Sequence, residues 1–428
     1  MSKYIYSGLL MLTALLVQGQ NPVPAPPQKG PVAIVGAKAH LGNGQVVDNA
    51  VITFDQGLIR TVTGRDNAPD LKGYEVIDAT GKHVYPGFVA ANTQLGLVEI
   101  SSFKATRDHT ETGELNPNIR SLIAYNTDSR VIPTVRARGV LTAQITPDGG
   151  VLAGNSSLVQ LDAWNWEDAA VLTDDGQHFY WPSRYRFNWS TQTVSKNERY
   201  DEEVAAVGRF FEEAKAYCQQ PANKTTNLKF AACCPLFEGS RRLYVHAELA
   251  RDIEEAVLMA KSYGMTVVII GGRDSWQIVD FLRDNNVAVV LGRIHSLPTG
   301  NDSDIDQPYK TAATLYQAGV RFGISIEGFW QLRNLPFQAG TAVAYGLPYE
   351  QGIKAISGGI ADILGVGNRL GTLEAGKAAT LFIAAGDVLD MRSSVVDIAF
   401  INGRLIDLNN VQRQLYERFQ EKYDRQKD

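Results

Sequence analysis

Imidazoles and carboxylates stand at several points of this chain where an apolar run gives way to a loop. These are the residues that could move a proton or hold a metal. His246 closes the run Leu243-Tyr244-Val245-His246, with Glu248 two residues on, and Glu327 follows Gly323-Ile324-Ser325-Ile326. His246 could serve as a general base or as a ligand of a single divalent metal such as zinc. It could equally be a pocket histidine hydrogen-bonded by Glu327 or Glu248. Glu327 becomes a base if its pocket desolvates it and raises its pKa, and is otherwise a hydrogen-bond acceptor. His295, after Val287 to Leu291, reads more readily as loop packing. Asn92 and Gln94 lie two apart in an apolar stretch, so a strand would turn both to one side. Neutral amides are poor ligands of zinc, and catalytic zinc takes three protein ligands. Ordinary two-metal hydrolysis is therefore not expected, and a single divalent metal is the only cofactor these residues suggest. Glu99, Asp108, His109 and Glu111 could add ligands from the loop after that stretch, though loop residues of this kind are usually solvated. Pro147 to Ser156 is a glycine-rich loop that could cradle an anion through its N–H groups, without the spacing or Lys of a phosphate loop.

Such residues need strands to aim them. Apolar runs at Gly139–Ile145, Ser157–Leu161, Leu243–His246, Thr266–Ile270, Val287–Leu291 and Val320–Ile326 alternate with helix-like stretches, one carrying Ile253, Ala256, Val257 and Ala260 on one face. That rhythm predicts an α/β chain with a parallel sheet or barrel, its site at the carboxyl ends of the strands. The flanks differ. Short β-branched runs separated by Gly and Asn turns, before residue 85 and after residue 372, predict small antiparallel sheet. Val204, Val207, Phe211, Ala214 and Tyr217 fall at helical spacing and predict a packed face. From Asn409 the tail reads as a helix with Val411, Leu415, Phe419 and Tyr423 on one side, docked on the body or, less simply, on a second subunit.

The chain has 428 residues, 44% of them hydrophobic, enough for a barrel plus a smaller domain. A formal charge of −5 argues against nucleic acid as a partner. Lys3 followed by the apolar run Ile5 to Val17 reads as a cleaved export leader over residues 1–19, too short to span a bilayer. The expected location is periplasmic or secreted, with no membrane span. Residues 20–31 are Pro-rich and read as an extended linker. In an oxidising compartment Cys218 could pair with Cys233 or with Cys234.

Tyr85-Pro86-Gly87-Phe88-Val89-Ala90-Ala91-Asn92-Thr93-Gln94 resembles the first barrel strand of the amidohydrolase superfamily, whose usual pattern is Pro-Gly-apolar-apolar-Asp-x-His-x-His. The frame matches, with Ala90 at the Asp position and Asn92 and Gln94 at the two His positions. Gly376-Lys377-Ala378-Ala379-Thr380-Leu381 and the run Ile356 to Val366 are similar to other framework motifs, the latter to the imidazolonepropionase-like branch. The resemblance implies a (β/α)8 TIM-type barrel over 86–371 and a small β-sandwich built jointly from 32–85 and 372–408, with the helix read above over 409–428 following them. It also implies His on the fifth and sixth strands and Asp on the eighth. His246 keeps the fifth, Gly271 stands at the sixth, and Glu327 is nearest to the eighth; no bridging Lys is found. The activity implied is hydrolysis of a non-peptide C–N bond. The alternative is a non-catalytic relative, a binding subunit or partner of an active homologue. A small molecule in the barrel mouth, or a homo- or hetero-oligomer with another amidohydrolase, are the partners implied.

Overall fold

A computed structural model describes residues 23–221, 225–298 and 303–426. The expected leader lies outside the described residues. Five strands come first: β1 (Val32–His40), β2 (Val46–Asp55), β3 (Leu58–Gly64), β4 (Glu75–Asp78) and β5 (His83–Pro86). Next are β6 (Phe88–Thr93), β7 (Val140–Ile145), β8 (Leu152–Gln160) and β9 (Ala170–Tyr180), then a separate exposed hairpin, β10 (Tyr185–Asn188) and β11 (Thr193–Lys196). After two helices come β12 (Arg242–Ala247), β13 (Thr266–Gly271), β14 (Ala288–Leu291) and β15 (Phe322–Ile324). The last three are β16 (Leu381–Ala384), β17 (Val396–Ile401) and β18 (Arg404–Leu405).

Both ends of the chain enter one sheet, ordered β18-β17-β16-β5-β1-β2-β3 with β4 beside β1. The seam is the antiparallel pairing of β5 with β16, Tyr85 opposite Phe382. A second sheet runs β15-β14-β13-β12-β9-β8-β7-β6 and curls into a nearly closed eight-stranded barrel. One strand departs from the expected parallel arrangement: β8 is antiparallel to both β7 and β9. The physical reason is the connection. Only Thr146 to Val151 separate β7 from β8, with Gly149 and Gly150 at φ +91° and +69°. A parallel crossover needs a dozen or more residues, whereas so short a glycine turn sends the chain straight back.

The barrel interior holds Val89, Ala91, Val268, Ile270 and Val290, and the helix Gly358–Leu364 adds Ile360 and Ile363 to that cluster. The expected helical stripe is Tyr200–Cys218, with Val207, Phe211, Ala214 and Tyr217 buried. It packs on Leu228–Phe237, and Cys218 bonds to Cys234 across the pair, Cα–Cα 5.5 Å. Cys233 points the other way, buried, with burial pushing its thiol up to about 12.

The C-terminal helix Val411–Asp424 corrects the expected docked tail, since it buries no residue and Leu415, Phe419 and Tyr423 stay exposed. Its tie to the body is Thr134, which donates to Gln412 Oε1 at 2.6 Å. The linker is pinned rather than free. Ala25 donates its N–H to Asp162 at 2.9 Å, and the same buried carboxylate holds Arg136 at 2.5 Å and Arg404 at 2.9 Å. Among the described residues no helix is long and apolar enough to cross a membrane.

Candidate active site

Parallel pairing of β9 with β12 sets Tyr180 beside His246 and His178 beside Tyr244. Because strand side chains alternate, His178 and Tyr180 share the face that carries Tyr244 and His246. The Tyr180 and His246 rings stack at 3.9 Å and 18°. His178 Nδ1 lies 2.9 Å from His246 Nε2, and the His178 ring stacks on Tyr244 at 4.8 Å. Below them is a polar layer centred on Asp175, which accepts from Tyr244 at 2.6 Å, Ser156 at 2.8 Å and Gln144 at 2.8 Å. Gln144 in turn accepts the N–H of Asn92 at 3.1 Å.

Above this layer is a cavity of about 170 Å³, lined by Asn92, Gln94, Asp148, Tyr180, His246 and Glu327 among others. Two neighbouring cavities, of about 480 and 210 Å³, share Glu248, Gly271, Arg273 and Glu327, so the barrel mouth is one connected region. Burial sets the charge states. His246 is held down at about 3 by burial, against the pull of the Asp148 carboxylate. His178, wholly buried, is pushed well below the ordinary imidazole range by burial and then by His246. Tyr180 is raised by burial, and further by the charge of Asp148, to which it is hydrogen-bonded. Asp148 also accepts from Gln94 Nε2 at 3.1 Å. Burial and the nearby Glu327 raise Glu248, while the Arg273 N–H at 3.0 Å opposes this.

The structure brings His246, Glu327, Asn92 and Gln94 to one cavity, with Glu248 and Gly271 at its rim. Several sequence-based readings change. The partner of His246 is His178, not Glu327 or Glu248. Glu327 is exposed rather than desolvated, so any role for it as a base rests on its place in the cavity wall. Asn92 takes a left-handed φ of 51°, which Asn tolerates, and this interrupts the simple alternation of β6. His295 is tied to the helix Leu335–Ala344 through Gln338 at 2.8 Å and Thr341 at 2.6 Å. Glu99, Asp108 and Glu111 do not line these cavities. The glycine-rich loop is no anion cradle, because its N–H groups serve the protein: Asp148 donates to His109 O, Gly149 to Asp148, and Val151 to Glu114 O.

A divalent metal does not fit the residues present. The five positions Asn92, Gln94, His246, Gly271 and Glu327 offer one imidazole and one carboxylate, below the three protein ligands of a catalytic zinc. Of that imidazole, Nε2 is engaged by His178, which leaves a single nitrogen, Nδ1, for the cavity. At the sixth strand a Cβ on Gly271 would meet Glu248 Oε1 at 2.4 Å, so the space of a ligand side chain is filled by Glu248. Among the described residues no cluster of three His, Cys, Asp or Glu is placed to hold a metal.

His178, Tyr180 and Asp148 were the residues sequence reasoning missed as a site. The one signal was alternation in Gly176-Gln177-His178-Phe179-Tyr180, which becomes meaningful only beside β12.

No model of a known protein family matches the chain. It is 30% identical over 121 residues to the amidohydrolase tasK of Hapsidospora irregularis. That match covers 24% of this chain and only 12% of the relative's own length. Among solved structures, an amidohydrolase from Thermotoga maritima superposes with a TM-score of 0.74 at 23% identity, covering 88% of this chain and 99% of that one. An adenosine deaminase from Xanthomonas campestris with bound zinc gives 0.51 at 14% identity, covering 94% and 99%. The chain shares the overall fold of these structures.

Proposed function

We propose that this chain is a hydrolase of small amides, acting on a non-peptide C–N bond with a carboxylate in place of a metal-activated water. The observation that carries this reading is the convergence of Glu327, Asn92 and His246 on one cavity at the barrel mouth. Glu327, the solvent-open carboxylate, takes a proton from water as the water oxygen attacks the amide carbon. The charge that develops on the carbonyl oxygen is met by hydrogen bonds from Asn92 and His246, both neutral and available to the cavity. The C–N bond then breaks as the Glu327 carboxyl returns its proton to the leaving nitrogen, so protons balance and one carboxylate serves twice. Tyr180 donates to Asp148, and that pair with Gln94 holds the wall against which His246 stacks. The relatives' printed names, amidohydrolase and deaminase, support a hydrolytic reaction at this mouth.

The chain is further proposed to be exported, which the Cys218–Cys234 bond supports. The sheet shared by the chain ends is proposed to be the sandwich domain. A second reading, a non-catalytic binding relative that partners an active homologue, is favoured by Glu248 filling the place of a sixth-strand ligand.

The test is a screen of N-acyl amides with the mature protein, with and without chelator. Turnover that survives chelation and falls at least about 100-fold in Glu327→Gln is expected. Turnover that needs added zinc, or that Glu327→Gln leaves intact, refutes the mechanism. Saturable binding without turnover selects the second reading.

A further inference from the structure

We infer that His178 is a positioning residue that fixes His246 as a hydrogen-bond donor toward the substrate carbonyl, which rests on the hydrolase reading above. The two rings share one hydrogen bond, Nδ1 of His178 to Nε2 of His246 at 2.9 Å, and neither distance nor chemistry alone says which nitrogen carries the proton. The rest of His178 decides it. The ring is wholly buried, and its Nε2 has no hydrogen-bond partner. A proton on that nitrogen would be a buried N–H without an acceptor, the rarer and costlier kind of orphan, whereas a bare lone pair is better tolerated. The proton of His178 therefore sits on Nδ1 and is donated to His246 Nε2.

A neutral imidazole carries one proton, so that of His246 must sit on Nδ1. This nitrogen has no protein partner and belongs to a ring that lines the cavity. His246 is thereby a donor to the carbonyl oxygen and not a base. The stack of Tyr180 on its other side holds the ring plane, and Asp148 anchors Tyr180.

The experiment is long-range 1H–15N correlation spectroscopy of the ¹⁵N-histidine-labelled mature protein near neutral pH. Wild type is expected to show a protonated Nδ1 and an unprotonated Nε2 on His246. His178→Phe keeps a ring but loses the donor, and His246 should shift to a mixture of tautomers, while His178→Asn, whose amide nitrogen stands where Nδ1 stood, restores the wild-type pattern. In turnover, His178→Phe should lower kcat about 100-fold with little change in KM, the signature of a donor used in the transition state. A His246 protonated on Nε2 in wild type overturns the inference, and so does a tautomer unmoved by His178→Phe. The wild-type spectrum decides even if that variant fails to fold. Absence of turnover would sink the hydrolase reading and leave the tautomer result standing.

Discussion

Replacing His246 by Gln should flatten the acid side of the stability curve. An unfolded histidine titrates near 6.5, while His246 in the folded protein is held at about 3 by burial. Between those values the unfolded chain binds one more proton than the native one, so this group makes stability rise with pH. Its contribution is fully present above the unfolded value and is lost as pH falls toward the folded one. The slope is about 1.4 kcal/mol per pH unit, so from 6.5 down to about pH 5 the loss reaches about 2 kcal/mol. Because the ring keeps one edge open to the cavity, that figure is an upper one. Gln has no such proton and can still hydrogen-bond His178. Urea denaturation of wild type and His246→Gln at about pH 7 and pH 5, followed by tryptophan fluorescence, measures the difference. The variant should lose up to about 2 kcal/mol less than wild type over that interval. Equal losses in both would refute a neutral, desolvated His246.

Three further outcomes follow from particular contacts. Gly271→Ala places a Cβ 2.4 Å from Glu248 Oε1 at a φ of +92°; it should displace Glu248, cost roughly 1–3 kcal/mol by thermal melt, and alter ligand binding at the mouth. Cys218→Ser opens a bond spanning 16 residues and should lower stability by about 3 kcal/mol in non-reducing buffer, a loss that wild type shows only with reductant. Asp162→Asn leaves the buried Arg136 and the half-buried Arg404 without their shared carboxylate; a loss of about 3–5 kcal/mol and faster proteolysis around Ala25 are expected, and a change under about 1 kcal/mol would show the network to be dispensable.

Much of the scaffold was legible because period and turn chemistry are local. The runs ending in His246, Ile270 and Leu291 became β12, β13 and β14, and the stripe from Val207 to Tyr217 became a buried helical face. The reversed β8 was not legible, since it depends on how short a connection Gly149 and Gly150 permit. The exposed C-terminal helix was misread as docked because amphipathic spacing says which face is apolar and nothing about what covers it. The choice of Cys234 over Cys233 needed the facing helix: neighbours in sequence point to different sides of a helix, and only one side meets Cys218.

By itself the sequence determined which groups are available at the mouth. Asn92, Gln94, His246, Gly271 and Glu327 offer one imidazole and one carboxylate, because ligand chemistry belongs to residue type and strand position. Only the tertiary structure decided what those groups are to one another. His178 and His246 are 68 residues apart in the chain and 2.9 Å apart in space. Register between β9 and β12 joins them, and burial in the barrel keeps both neutral. Charge state and tautomer depend on desolvation and on a partner across the sheet, and neither is a property of a residue in its own stretch of chain.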